Sequence, residues 1–132
     1  MTRNHNRTGD AAELEAAAFF LRQGYVVSFP HSTAPYDMVV DRGFDLVRIE
    51  VKSTTQNGRV KRDCKNWGWT VIVDASKPFD FLYVHTPDLH YLIPHSELGD
   101  VRKGLMVPTR ADLPSNSKWL RFVLGPVNSL DW

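Results

Sequence analysis

The stretch Pro35–Lys52 constrains the fold more than any other part of the chain. Two runs rich in β-branched residues, Met38–Val40 and Leu46–Val51, flank the dipeptide Gly43-Phe44. A two-residue connection with glycine first fits a type II′ turn, whose twist matches that of two antiparallel strands. The turn sets the register. Residues 42 and 45 flank the loop, and counting back places Asp37 across from Glu50. Side chains alternate along each strand, so Val47, Ile49 and Val51 share one face with Met38 and Val40 as apolar partners. Arg48, Glu50 and Lys52 share the other with Asp37, Val39 and Asp41. Opposed residues carry their β-carbons about 5 Å apart. Two carboxylates that close repel, and a bound divalent cation is the obvious way to reconcile them. Lys52 follows on the same face, about 6–7 Å along the strand.

Upstream, residues 1–8 read as a flexible start, with Arg7 a candidate phosphate contact. Residues 10–23 predict a helix with Leu14, Ala17, Ala18 and Leu21 as its apolar stripe. Thr8 or Asp10 can cap its start, and Gly24 suits a left-handed C-terminal residue. Glu13 has two readings: it completes a capping box with Asp10, or it turns its carboxylate toward a metal site beside the sheet. Tyr25–Phe29 predicts a strand, and Pro30 and Pro35 bracket a loop that contains Ser32.

Downstream of the hairpin, residues 53–69 form a polar break. Arg59, Lys61, Arg62 and Lys65 make a dense basic patch, closely followed by Trp67 and Trp69. These residues, Trp67 among them, are the candidates for holding nucleic-acid phosphates and stacking on bases. Trp69–Val73 is either a strand or an ordered loop. Phe79–His85 and His90–Ile93 predict a second hairpin around Thr86-Pro87-Asp88. His95–Leu98 starts a short helix or turn with Ser96 as a possible cap. Residues 99–132 are less regular, and their apolar stretches Leu105–Val107 and Trp119–Leu124 either complete a sheet edge or make an oligomer contact. The five histidines show no spacing that signals zinc.

A chain of 132 residues suits one domain, here the whole of 1–132. No apolar run approaches the roughly 18 residues that a membrane span needs, and the polar N-terminus does not read as a secretory signal. The lone Cys64 excludes an internal disulfide and makes a reducing cytoplasm the expected compartment. With a net charge of only +1, a nucleic-acid partner requires the positive charge to be segregated onto one surface.

The chemistry that suits these residues is phosphodiester hydrolysis. Asp37 and Glu50 would hold Mg²⁺ or Mn²⁺ together with the Val51 carbonyl, and Lys52 would orient the attacking water and offset charge in the transition state. Glu13 would touch the ion's ligands or waters, or contact a second metal ion. Serine and cysteine nucleophile schemes lack their motifs, and neither a Walker loop nor a dinucleotide-binding glycine pattern is present.

Gly9-x-x-x-Glu13, Gly24-Tyr25, Tyr36-Asp37 and Ile49-Glu50-Val51-Lys52 resemble the PD-(D/E)XK nuclease superfamily, over about residues 9–55. Within it they are most similar to the archaeal-type Holliday junction resolvases. The later run Phe79–Val84, Tyr91–Pro94 and Glu97-Leu98 looks more like nucleases encoded in group I introns. By motif position the resemblance implies Glu13, Asp37, Glu50 and Lys52 as the catalytic set, with Ser32 as a loop residue near DNA. It implies an α/β, restriction-endonuclease-like fold, a mixed central β-sheet flanked by helices. It further implies Mg²⁺-dependent cleavage of DNA, most simply branched DNA, by a homodimer or higher homo-oligomer in a bacterial or phage-infected cell. After Lys52 the archaeal enzymes place a glutamine-bearing helix where this chain has its basic, tryptophan-containing segment. That departure leaves room for a sequence-specific homing or restriction-type endonuclease, or for a non-catalytic nucleic-acid-binding module on the same fold.

Overall fold

The computed structural model describes residues 7–54, 57–59, 67–99, 102–108, 118–125, 130 and 132, with the backbone alone at 7, 8, 57–59, 67, 102 and 103. One helix, α1 (Arg7–Arg22), precedes eight strands: β1 (Val26–Ser28), β2 (Met38–Asp41), β3 (Leu46–Ser53), β4 (Asn57–Arg59), β5 (Trp67–Asp74), β6 (Phe81–His85), β7 (His90–Pro94) and β8 (Arg102–Pro108). The strands form two sheets. The first is mixed, in the order β1-β2-β3-β6-β7, and the second is β4-β5-β8. Within the first sheet β3 and β6 run parallel while the other pairs are antiparallel.

The hairpin forms in the register its turn dictates. Met38 pairs with Ile49, Val40 with Val47 and Asp41 with Leu46. Arg42 N–H closes the loop on Asp45 O at 2.9 Å. Gly43 takes φ +96°, and no non-glycine residue among those described has a positive φ, so Phe44 is compatible with the II′ form and not with I′.

Strand alternation distributes two cores to the two faces of the mixed sheet. On one face Met38, Val40, Val47, Ile49, Val51, Tyr83 and Leu92 pack on Ala12, Ala16, Ala17 and Phe20 of α1. On the other, Leu82, Val84, Tyr91 and Ile93 meet Val71, Val73, Leu105 and Val107 of the second sheet. The cover is thus a helix on one side and a three-stranded sheet on the other. The Tyr91 hydroxyl donates to Pro108 O at 2.7 Å and ties the two sheets together.

Several sequence expectations need correction. The buried face of α1 is Ala12, Ala16, Ala17 and Phe20, and the expected anchors Leu14 and Leu21 are 65% and 56% exposed. Alanines mark the close approach because a helix that lies on a sheet needs small side chains beneath it, and Phe20 supplies the apolar bulk. The helix begins at Arg7, so residues 7 and 8 are not a loose tail, and Asp10 lies inside the helix and not at its cap. Its end is as expected. Gly24, at φ +93°, sends its N–H to Leu21 O, and Tyr25 N–H reaches Phe20 O, the paired bonds of a Schellman motif.

The stretch 99–132 is more regular than its sequence implies. β8 pairs with β5 from Asp74–Arg102 to Gly68–Pro108, so Trp69–Val73 is a strand and Leu105–Val107 is its partner. Trp69 packs against the second core and donates to Asp88 at 2.6 Å. The stretch from Trp119 begins in a 3₁₀ helix, Lys118–Phe122, and then completes a sheet edge through a bridge between Val123 and Tyr91. A second 3₁₀ turn, His95–Glu97, starts at Pro94 without any side-chain cap, so Ser96 does not serve as one. No described helix is long and apolar enough to cross a membrane.

Candidate active site

Asp37 stands at the entry to β2. Its N–H donates to Ile49 O at 2.9 Å, which carries the hairpin ladder one step past Met38. Its carboxylate then turns to β3 and accepts the Val51 N–H at 2.7 Å. The N–H and C=O of one strand residue leave on the same side, so the Val51 carbonyl heads for the same edge. These bonds bring the Asp37 and Glu50 carboxyls within hydrogen-bonding reach of each other.

Glu50 projects away from α1, at the margin of the second core, and is only 5% exposed. Burial pushes its pKa up to about 7, helped by the hydrogen bond and the charge of Asp37 and opposed by two lysines. Lys52 Nζ lies 3.9 Å from Glu50 Oε2, on the face that the alternation requires. Lys77 Nζ is closer, at 3.5 Å. Lys77 comes from the turn after β5, where Asp74 accepts from the Ser76 N–H and hydroxyl at 3.1 and 2.6 Å, and the Lys77 N–H reaches Asp74 O at 3.3 Å. Glu13 is half-buried on α1. Its carboxyl is raised above the usual range first by burial and then by the negative charges of Asp37 and Asp10, so it shares the field of this edge.

Two carboxyls so placed relax by holding either a proton or a cation between them. The oxygens of Asp37, Glu50 and the Val51 carbonyl are hard donors, the kind that Mg²⁺ or Mn²⁺ takes while keeping several waters. The residues therefore fit such an ion. Two residues earlier on β3, Arg48 is engaged otherwise: its backbone N–H and its guanidinium all bond Asp80, at 2.7–3.2 Å, and clamp the start of β3 to β6.

Asp37, Glu50, Val51 and Lys52 thus gather at one edge, and Glu13, on α1, is linked to them through the charge of Asp37. Ser32 is exposed, in a turn closed by Ala34 N–H on His31 O, and no described contact ties it to the carboxyls. Arg7 lies in the first turn of α1, and Arg59 and Trp67 form the last pair of the β4–β5 ladder. Lys61, Arg62 and Lys65 lie outside the described residues, as does Cys64. Two features escape the sequence reading. Lys77 carried no motif, because only the chain path through the Asp74–Lys77 turn brings it to Glu50. Glu15, His85 and His90 converge elsewhere, and their signal was available: the two histidines flank the second hairpin loop symmetrically.

No curated protein sequence matches the chain. Among solved structures the fold is similar to that of a bacterial homing endonuclease, I-Ssp6803I, with a TM-score of 0.67 and 22% sequence identity over 93% of this chain and 88% of that one. The sequence profile described as PD-(D/E)XK endonuclease matches residues 3–118. With the greater part of its length matched, this chain belongs to the PD-(D/E)XK endonuclease family.

Proposed function

We propose that this protein is a Mg²⁺-dependent endodeoxyribonuclease (Mn²⁺ serving in its place), that it cuts duplex DNA at a preferred sequence in the manner of homing or restriction enzymes, and that residues 1–132 act as one nuclease domain. The observation that carries the reading is the buried Glu50 carboxyl held against Asp37, with Lys52 and Lys77 beside it. A bound divalent cation would supply Lewis-acid polarisation of the phosphoryl oxygens and a more acidic water. Asp37, Glu50 and the Val51 carbonyl would hold it. Lys52 orients the water that attacks phosphorus and offsets charge on the phosphoryl oxygens as it grows. Lys77 favours the ionised form of Glu50, and Glu13 holds water from the α1 side.

The substrate divides the possibilities. Branched DNA rests on the motif likeness over residues 9–55 alone. Duplex cutting is favoured by the likeness of nearly the whole chain to a homing endonuclease. It is also favoured by the basic run Arg59, Lys61, Arg62 and Lys65, followed by Trp67, a sequence suited to holding duplex phosphates. One copy carries one such site, so cutting both strands calls for a homodimer.

The test is a panel of duplex, four-way junction, flap and single-stranded DNA incubated with Mg²⁺ or Mn²⁺. Cleavage of duplex at one sequence, lost in Asp37→Ala and Glu50→Ala while DNA binding persists, supports the proposal. Cleavage of junctions alone overturns the substrate, and wild-type activity in both variants overturns the site. Binding without cleavage of any substrate would leave a nucleic-acid-binding module.

A further inference from the structure

His85 ends β6 and His90 begins β7, and the two are directly paired across the strands. Their rings stand 4.4 Å apart, tilted by 35°. The turn between them is fixed from inside. Thr86, 1% exposed, accepts the Leu89 N–H at 2.9 Å and donates its hydroxyl to Leu89 O at 2.5 Å. Opposed residues share a face, and this is the face of α1. Tyr83, two residues before His85, is buried there against Phe19 and Phe20.

α1 contributes the third group. Glu15 projects over the end of the hairpin, and its Oε2 meets His85 Nε2. His90 Nδ1 lies 2.8 Å from the hydroxyl of the fully buried Tyr83. In the tautomer that donates Nδ1–H to that oxygen, Nε2 keeps its lone pair. Glu15, His85 and His90 each offer one ligand atom, and these atoms lie within 4.8 Å of one another.

We propose that Glu15, His85 and His90 form a second metal site, for a transition-metal dication of the Zn²⁺ class, distinct from the Asp37–Glu50 centre. Two imidazole nitrogens and one carboxylate oxygen suit Zn²⁺, Co²⁺ or Ni²⁺, whereas Mg²⁺ prefers oxygen donors alone. Bonds of about 2.0–2.2 Å bring tetrahedral donors to roughly 3.4 Å from one another. Glu15, with its side chain 56% exposed, is free to adjust to that spacing. Tyr83 plays the part of the oxygen that usually orients a ligating histidine through its other nitrogen. An ion pair between His85 and Glu15 would account for two of the three residues. It leaves His90, held by Tyr83 against the His85 ring, without a role.

The two centres lie on opposite faces of one sheet. Ser53 pairs with His85 and Lys52 with Val84, so alternation puts the histidines on the α1 side and Glu50 and Lys52 on the other. The bound ion would join position 15 to positions 85 and 90 and clamp α1 to the hairpin. The proposal does not depend on the nuclease assignment.

Co²⁺ is the probe, because its visible d–d absorption reports nitrogen ligation at low coordination number. Titrated into the chelator-stripped full chain, Co²⁺ is expected to give these bands at one equivalent, displaced by Zn²⁺ and not by millimolar Mg²⁺. Glu50→Gln keeps the bands. His85→Gln, His90→Gln and Glu15→Gln lose them and bind Zn²⁺ at least tenfold more weakly, and Tyr83→Phe weakens binding roughly tenfold. Thermal unfolding of each metal-free variant checks that it folds, and Glu15→Gln, an exposed change, serves as the test if a histidine variant fails. Bands that survive in Glu15→Gln or His90→Gln, bands lost in Glu50→Gln, or no Co²⁺ and Zn²⁺ binding by the wild-type chain would each overturn the second site.

Discussion

Replacing Glu50 by Gln should stabilise the metal-free protein while removing its activity, and the size of the gain follows from the burial of the carboxyl. In the unfolded chain Glu50 ionises near 4.5, but in the folded chain only near 7. Between those values unfolding releases a proton, so stability falls as pH rises through the window, and above it the whole penalty is present. At about 1.4 kcal/mol per pH unit the displacement is worth about 3 kcal/mol. The amide of Gln carries no charge to desolvate and can still donate to Asp37, as the protonated acid does. Lys52 and Lys77 lose their partner, but their side chains are 36% and 42% exposed and remain solvated. Urea unfolding followed by tryptophan fluorescence, in a chelator at pH 5, 6, 7 and 8, measures the effect. With an m-value of about 1–3 kcal/mol/M, the variant's midpoint at pH 8 should lie roughly 1–3 M above that of the wild-type chain. At pH 5, half a unit into the window, the gap should shrink to about a quarter of that. Adding Mg²⁺ should reverse the order at pH 8, since an ion at a thousand times its Kd contributes about 4.1 kcal/mol to the form that binds it. A variant no more stable than wild type at pH 8, or a gain equal at pH 5 and pH 8, would refute the picture of a carboxyl buried at a cost and kept for its ligand.

Other consequences are more local. Lys77→Met removes the nearer cation from Glu50 and so raises the pH at which it ionises; the acidic limb of the pH–cleavage profile should move upward by up to about one unit, cutting the rate below pH 7 by up to about tenfold, while Lys77→Arg restores it. Gly43→Val forces a β-branched residue to φ +96°, at a cost of about 1–2 kcal/mol, visible as a lower melting temperature by circular dichroism. Phe20→Ala empties a site that is fully buried and stacked on Trp132 at 5.2 Å, and should cost about 3–5 kcal/mol in denaturant unfolding. Changing Arg59, Lys61 and Arg62 to Gln should weaken DNA binding and flatten its salt dependence, by about 0.9 in slope for each duplex phosphate that is no longer neutralised.

The carboxyl pair was legible because a hairpin is a local object. A two-residue loop with glycine first admits one register, and that register alone puts Asp37 beside Glu50 and sends Lys52 to the same face. The apolar face of α1 was not legible in the same way. Leu14 and Leu21 stand out by size, yet the sheet beneath the helix is met by Ala12, Ala16 and Ala17. Which side of an alanine-rich helix is buried depends on the surface it meets, and that surface is assembled from β2, β3, β6 and β7. Lys77 belongs to the same class of non-local facts, since its place beside Glu50 depends on how β5 is carried back over the mixed sheet.

This division also explains why the site sits where it does. β6 and β7 are buried on both faces, but the partner sheet covers the mixed sheet unevenly. Leu82 and Val84 pack into the second core, while their neighbours on β3, Glu50 and Lys52, lie at its margin. An apolar residue at position 50 would let the second core spread across β3 and would stabilise the fold. A carboxyl there halts that spread and leaves a low-dielectric wall on one side of a wet edge. In such a setting a charge acts over a short distance with little screening. The same burial that raises the Glu50 pKa would therefore strengthen its hold on a divalent cation once the proton has left. Stability lost in the metal-free protein and affinity gained in the metal-bound one are two readings of a single arrangement of Asp37, Glu50, Lys52 and Lys77.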